Sequence, residues 1–321
     1  LLKEYPNSSY RDDGLFQLAE TLVQLDKNNQ AYQIYQTIIN EFGVQSEYTS
    51  SSYMRQGLIS YNQGDLDAAL EAYKSGIKIS TNKEEKRRAL LAVEDIYLYD
   101  LNQADAFFNY SESLTGIKID DISKDSIVFD NALNIYKDGS YEKAIDQFVD
   151  YLDKYKNAFY KGQAYYYLGE SYLVLKDYNN ALASYLQSIE TNNHGYYESA
   201  LKKAAVISFN HAKDFEQSLN LYTKLIEDEP GQPNLEYLEA ALYAAFKTEN
   251  DEAILRYGEL VSTHSQATSD SKSTAAYYMG KVLYKSEKYS EALRQFESVV
   301  ELSSNSMAAE ASYLIASIHF R

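Results

Sequence analysis

The sequence predicts an all-α chain built as a linear array of antiparallel helix hairpins. Three observations predict it. A frame of small and aromatic residues recurs along the chain at separations of 35 to 40 residues. Within each copy, apolar residues fall at i, i+3, i+4 and i+7, the spacing of one helix face. Turn formers are scarce: 321 residues hold 13 glycines and 3 prolines, too few for an all-β chain, which turns every ~8–12 residues.

Taken in chain order, the first copy uses Leu15, Leu18, Ala19 and Leu22, then Ala31 and Tyr35. The second uses Tyr53, Gly57, Leu66, Ala69 and Tyr73. A weaker third copy runs through Leu91, Ala92, Ala104 and Phe108. The fourth holds Val128, Ala132, Ile135, Tyr141, Ala144 and Phe148. In the fifth, Tyr165, Leu168, Gly169 and Tyr172 precede Tyr178, Ala181 and Tyr185. The sixth is degenerate, with Ala205, Phe209, Phe215, Ser218, Tyr222 and Pro230. The seventh has Tyr237, Ala240, Ala241, Ala244, Ala253 and Tyr257. The eighth repeats the fifth's spacing through Ala276, Met279, Gly280, Leu283, Tyr289, Ala292 and Phe296.

The pattern has a physical reading. A small residue such as Gly169 sits where two helices cross closely, and Ala181 serves the same approach from the second helix. The aromatic four residues later lies one turn on, on the same face, and fills the space between hairpins. One hairpin cannot bury its face alone, so neighbours stack. Turn signals separate first from second helices at Asn62–Asp65, Lys137–Ser140, Lys176-Asp177 and Ser286–Lys288, with Asp65, Ser140, Asn179 and Ser290 as expected N-caps.

This frame resembles the tetratricopeptide repeat family over nearly the whole chain. The resemblance implies a right-handed superhelical solenoid, about eight full repeats with partial repeats at both ends, forming a single array over 1–321. Two departures stand out: no copy has tryptophan at the first signature position, and only Pro230 fills the terminal proline position. Tyr5-Pro6-Asn7-Ser8-Ser9-Tyr10, followed by Leu15 to Glu20, resembles the helix start of bacterial envelope repeat proteins of the outer-membrane assembly and Tol-Pal accessory type. That similarity implies a periplasmic or outer-membrane-associated setting, with a cytoplasmic one left open. Leu1 to Pro6 reads as a helix end and Ala308 to Arg321 as a helix start, so both ends are expected inside a repeat. Thr115–Lys124 interrupts the spacing, and the junction at 114–124 is read as a longer loop in a continuous array, a hinge being the alternative.

Composition narrows the function. The net charge of −17 repels a phosphate backbone, and the densest basic run, Lys83–Arg88, is broken by two glutamates. The absence of cysteine removes disulfides, thiolate nucleophiles and Cys-based zinc sites. No stretch approaches the ~18 apolar residues of a membrane helix. His194, His211, His264 and His319 are scattered without a metal-ligand spacing. Asp120, Asp121 and Asp125 lack the glycine and final glutamate of an EF-hand loop. No catalytic residue, cofactor or metal site is expected.

The family resemblance places positions 2, 5, 9 and 12 of each first helix on a concave groove. Carried over by register, position 5 gives Phe16, Met54, Phe129, Tyr166, Leu238 and Tyr277, and position 12 gives Val23, Tyr61, Tyr136, Leu173 and Tyr284. An aromatic ladder of this kind suits a peptide or protein partner. The competing reading is that these residues pack against neighbouring first helices. Leu235, Leu238 and Leu242 lie on a helix apolar nearly all round, covered either by the chain itself or by a partner. The carboxylate clamp of some family members needs Lys and Asn at positions 5 and 9. Here Lys203 is followed by Ile207, so the clamp is absent. The expected function is a non-catalytic scaffold for a protein or peptide partner, with a glycan-binding module or a passive spacer as alternatives.

Overall fold

The computed structural model describes residues 8–192, 195–228 and 231–320, and every regular element among them is helical. The Tyr5-Pro6-Asn7 part of the helix-start motif, the helix-end reading of Leu1 to Pro6, His194, Pro230 and Arg321 lie outside the described residues. The chain forms two compact units, Leu1–Asn131 and Ala132–Arg321. The first holds α1 (Arg11–Gln24), α2 (Asn28–Phe42), α3 (Tyr48–Asn62), α4 (Leu66–Ile79), α5 (Lys83–Asp95) and α6 (Ala104–Thr115), and the boundary falls within α7 (Asp121–Lys137). The second holds α8 (Tyr141–Lys154), α9 (Lys161–Val174), α10 (Tyr178–Glu190), α11 (Tyr197–Ile207), α12 (Phe215–Asp228), α13 (Leu235–Lys247), α14 (Asp251–Thr263), α15 (Ser269–Lys285), α16 (Tyr289–Leu302) and α17 (Ser306–His319). From α1 to α5, and again from α8 to α17, each helix packs on the one before and the one after.

The helix-to-helix turn supplies an internal ruler. Immediately before each second helix's N-cap, one residue takes the left-handed conformation: Asp26, Gly64, Asn102, Gly139, Lys176, Lys213, Glu249 and Glu287, at separations of 36 to 38 residues. The next residue donates its backbone N–H to a first-helix carbonyl. The pairs are Lys27 to Leu22, Asp65 to Ser60, Ser140 to Ile135, Asp177 to Tyr172, Asn250 to Ala245 and Lys288 to Leu283, five residues apart in every case. In two turns the separation is six, Gln103 to Tyr97 and Asp214 to Ser208. Those two first helices end in π-helical turns, Ile96–Asp100 and Ser208–Ala212. A π-turn adds one residue to the helical ladder, which accounts for the difference.

This ruler corrects the sequence register in two hairpins. The small second-helix residue lies four beyond the N-cap, as in Ala31, Ala69, Ala144, Ala181 and Ala292, all fully buried. In the third hairpin that place belongs to Phe107, whereas Ala104 opens α6 half-buried. The close-packing place on α5 falls at Glu94, not Ala92. In the seventh hairpin the frame shifts by one, so Leu242 replaces Ala241 and Leu238 moves from the groove position to the core. Much of the unevenness in spacing read from the sequence therefore comes from register, not from the fold. The caps differ as well: Asp65 accepts from the Ala68 N–H, but Asp177 rather than Asn179 caps α10, Lys288 rather than Ser290 precedes α16, and Ser140 makes no side-chain cap.

The close approach is literal in three hairpins. A Cβ placed on Gly57 would meet the Tyr73 ring at 2.8 Å, on Gly169 the Tyr185 ring at 2.8 Å, and on Gly280 the Phe296 ring at 2.7 Å. The core alternates such contacts, with Tyr35, Phe148, Tyr185 and Phe296 at 0% exposure. The interruption near Thr115 is mostly helix. Only 116–120 lie between α6 and α7, no more than 155–160 between α8 and α9, and the extra residues extend α7. Glu112 organises this turn by accepting the Ile119 N–H at 3.0 Å and pairing with Lys124 at 3.1 Å. Asp120 accepts from the Ser123 N–H and hydroxyl, so this acidic residue serves as a helix cap.

Candidate functional site

The odd-numbered helices are the first helices of the hairpins, and the expected groove residues sit on them. Three are closed to any partner. Phe129 is 3% exposed, Leu238 1% and Tyr277 7%. Leu238 is buried because its register is one residue off. Leu242 beside it is 2% exposed, so the chain itself covers this apolar helix. Tyr277 is held by its hydroxyl, which donates to Glu310 on α17 at 2.5 Å.

The other six are partly open, and five of them reach the next first helix or its extension. Phe16 stacks on Tyr48 at 4.8 Å. The Tyr61 hydroxyl meets Asp100. Tyr136 packs on Tyr167 at 5.1 Å and Tyr166 on Tyr196 at 4.9 Å. Tyr284 shares a hydrogen bond with Ser317 at 3.2 Å. Burial, then the nearby Glu170, pushes the Tyr166 hydroxyl up to about 12. The ladder of aromatics thus spends much of its surface on joining successive first helices.

Ion pairs repeat the theme. Glu20 follows Ala19, accepts the Tyr35 hydroxyl at 2.5 Å and pairs with Arg55 on the next first helix at 2.8 Å. Glu170 follows Gly169, accepts the Tyr185 hydroxyl and pairs with Lys203 at 2.7 Å. In the eighth hairpin the signs are exchanged: Lys281 follows Gly280 and pairs with Glu310 at 2.8 Å. The Lys281 hydrogen bond, followed by that of Tyr277, holds the Glu310 carboxyl below its usual range.

A groove of about 610 Å³ lies open between α3 and α5, and Phe16 and Tyr73 are among its lining residues. Met54, Leu58, Ala89 and Ala92 supply its apolar wall, and Arg55, Arg88, Asn82 and Glu85 its polar one. Leu58 lines this groove and is 42% exposed. Glu85 is positioned by three hydroxyls: Ser50 at 2.8 Å and Ser80 at 2.5 Å on one oxygen, and Ser51 at 2.7 Å on the other. Burial pushes its carboxyl up, but the hydrogen bonds from Ser80, Ser51 and Ser50 more than offset this, and the net shift is downward. The groove therefore presents a fixed carboxylate and two exposed guanidinium groups around an apolar floor. That arrangement can hold an amphipathic polypeptide segment. It brings together Phe16 and Met54 from the sequence expectation. It adds Leu58 on α3, Glu85, and Arg88, the last of which the misplaced register of the third hairpin hid.

Elsewhere, His264 is 5% exposed, with Nδ1 accepting the Gln266 N–H at 3.1 Å and Nε2 3.0 Å from the Pro233 carbonyl. His211 stacks on Tyr178 at 3.6 Å. Among the described residues no helix is long and apolar enough to cross a membrane.

Comparison with known proteins agrees with this construction. Tetratricopeptide repeat family models match residues 13–43, 50–83, and 129–195 with 277–321. A TPR repeat-containing protein of Methanocaldococcus jannaschii is 22% identical over 233 residues, 67% of this chain. The chain spans 39% of that relative's length. A tetratricopeptide repeat protein from Parabacteroides merdae is 17% identical, with 84% of this chain and 98% of that one covered and a TM-score of 0.29. The TPR domain of P58(IPK) is 13% identical, with 96% and 98% covered and a TM-score of 0.31.

Proposed function

Because the chain belongs to the tetratricopeptide repeat family, we propose that it is a non-catalytic scaffold that holds a protein partner along the face of its first helices. The family's fold is generally a protein-interaction scaffold. The observation that carries the reading here is the groove between α3 and α5. Its floor is apolar and open, Leu58 stands in it unburied, and charged groups converge on its wall. An interface core needs this combination of desolvatable surface and fixed polar groups.

The reading is tested by affinity capture from the source organism with the native chain and with Leu58→Lys. Leu58 is exposed enough for lysine to be accommodated, so the variant keeps its helix content and melting temperature. A partner captured by the native chain and reduced about tenfold by the substitution, a loss of ~1.4 kcal/mol, supports the scaffold. Equal capture by both chains contradicts this face as the binding surface. Saturable binding of a glycan in place of a protein turns the reading toward sugar recognition.

A further inference from the structure

The corrected register exposes a second slot of the same kind, between α13 and α15. It holds about 280 Å³, below the ~300–1,000 Å³ of ligand-sized pockets and suited to one side chain. Place by place it corresponds to the α3–α5 groove, but the chemistry is exchanged. Where Met54 and Leu58 stand on α3, α13 carries Glu239 and Tyr243, and where Ala92 stands on α5, α15 carries Tyr278. Leu242 and Val261 form the floor, at 2% and 0% exposure. Asp270, Ser271 and Thr274 line the remaining wall.

Two features point to a cation. Glu239 is half-buried beside an apolar floor, and among the described residues neither it nor Asp270 pairs with a cation or accepts a hydrogen bond. Two carboxylates that line one slot without a paired cation attract a positive charge. Tyr243 and Tyr278 also line the slot, and an aromatic ring attracts a cation. The Lys247 ammonium already stands 5.2 Å from the Tyr243 centroid, so this ring serves as a cation platform. Tyr278 is held flat against Phe246 at 3.9 Å and 10°, which fixes its orientation at the slot. The chain's net charge of −17 concentrates cationic partners near its surface.

We propose that the slot between α13 and α15 receives one arginine side chain of a protein partner. A planar guanidinium matches flat tyrosine walls and can donate to oxygens spread over Glu239, Asp270, Ser271 and Thr274, which a point-like ammonium cannot do at once. The assignment rests on the reading of this face as protein-binding and deepens it by naming the chemistry recognised.

A fluorescein-labelled, amidated peptide of alternating glycine and arginine provides the test, titrated into the full chain and followed by fluorescence anisotropy. Glu239→Gln with Asp270→Asn is expected to weaken binding about tenfold. Glu297→Gln with Glu301→Gln removes the same charge from the exposed side of α16 and is expected to change it less than about twofold. Replacing arginine by citrulline, which keeps the shape and removes the charge, abolishes saturation, and the lysine peptide binds more weakly. Equal losses in the two double variants, equal binding of the citrulline or lysine peptide, or no saturable binding overturns the assignment. These outcomes are independent of capture at Leu58, so failure here is distinguishable from failure of the scaffold reading.

Discussion

The backbone N–H of Asn250 donates to the carbonyl of Ala245 at 2.9 Å, and this bond sets which side chains of α13 face inward. Leu238 and Leu242 are drawn into the core, and Glu239 takes the outward place. Leu238→Ala and Leu242→Ala should each cost about 2–5 kcal/mol in chemical unfolding. Glu239→Ala should stay within about 0.5 kcal/mol. A large loss at Glu239 with little at Leu238 would restore the register read from alanines alone.

Six of the eight left-handed turn residues are not glycine: Asp26, Asn102, Lys176, Lys213, Glu249 and Glu287. The left-handed conformation costs a side-chain-bearing residue roughly 1–2 kcal/mol, partly offset by the greater unfolded-state freedom of glycine. Lys176→Gly and Glu287→Gly should therefore raise stability by about 0.5–1 kcal/mol. Gly64→Ala and Gly139→Ala should lower it, because both glycines sit at positive φ. Thermal melts of the four variants check the signs.

The Gly169–Tyr185 contact makes a prediction that reverses sign with context. Tyr185 is fully buried and tethered to Glu170, so its ring cannot retreat from a new methyl group. Gly169→Ala should cost about 1–3 kcal/mol, outweighing the ~1 kcal/mol that alanine gains in helix propensity. In a Tyr185→Leu background the same substitution should become neutral or stabilising. A double-mutant cycle measures the change.

Most of the architecture was legible because five hairpins keep one spacing from first to second helix. The fifth and eighth, with Gly169 and Gly280, are the clearest. The third was misread, and in it a π-turn inserts a residue that a constant spacing cannot accommodate. The seventh slipped because Ala240-Ala241 and Ala244-Ala245 offer two frames of equal appearance. The signal that resolves it was present in Asn250, whose side chain caps α14 by accepting from the Ala253 N–H. The site was less legible than the fold. Tyrosines that match groove positions are spent on helix-to-helix contacts, as Tyr166 is on Tyr196, and composition does not distinguish a packing tyrosine from a binding one.

Buried tyrosines give the chain an alkaline limit. Burial raises the Tyr73 and Tyr222 hydroxyls to about 12, and burial with Glu170 does the same for Tyr166. Tyr35 and Tyr185 are raised further, by burial and then by Glu20 and Glu170. The unfolded chain releases these protons near ~10, so above that pH the folded state binds more protons and stability falls as pH rises. Stability from this source should hold up to about pH 10 and be lost from about pH 10 to 12. Tyrosinate absorbance and helical ellipticity should change together in that window. Tyrosinate absorbance reaching its full value at pH 10 with helicity intact would show that the tyrosines are not protected.

Photo-cross-linking reads the binding face most directly. A benzoylphenylalanine replaces Leu58 in the α3–α5 groove in one chain, and Val149, an exposed residue of the second helix α8, in another. Irradiation in extract of the source organism should yield a discrete protein adduct from the Leu58 site and none from the Val149 site. The same adduct from both sites, or an adduct from Val149 alone, contradicts a partner held along the first helices.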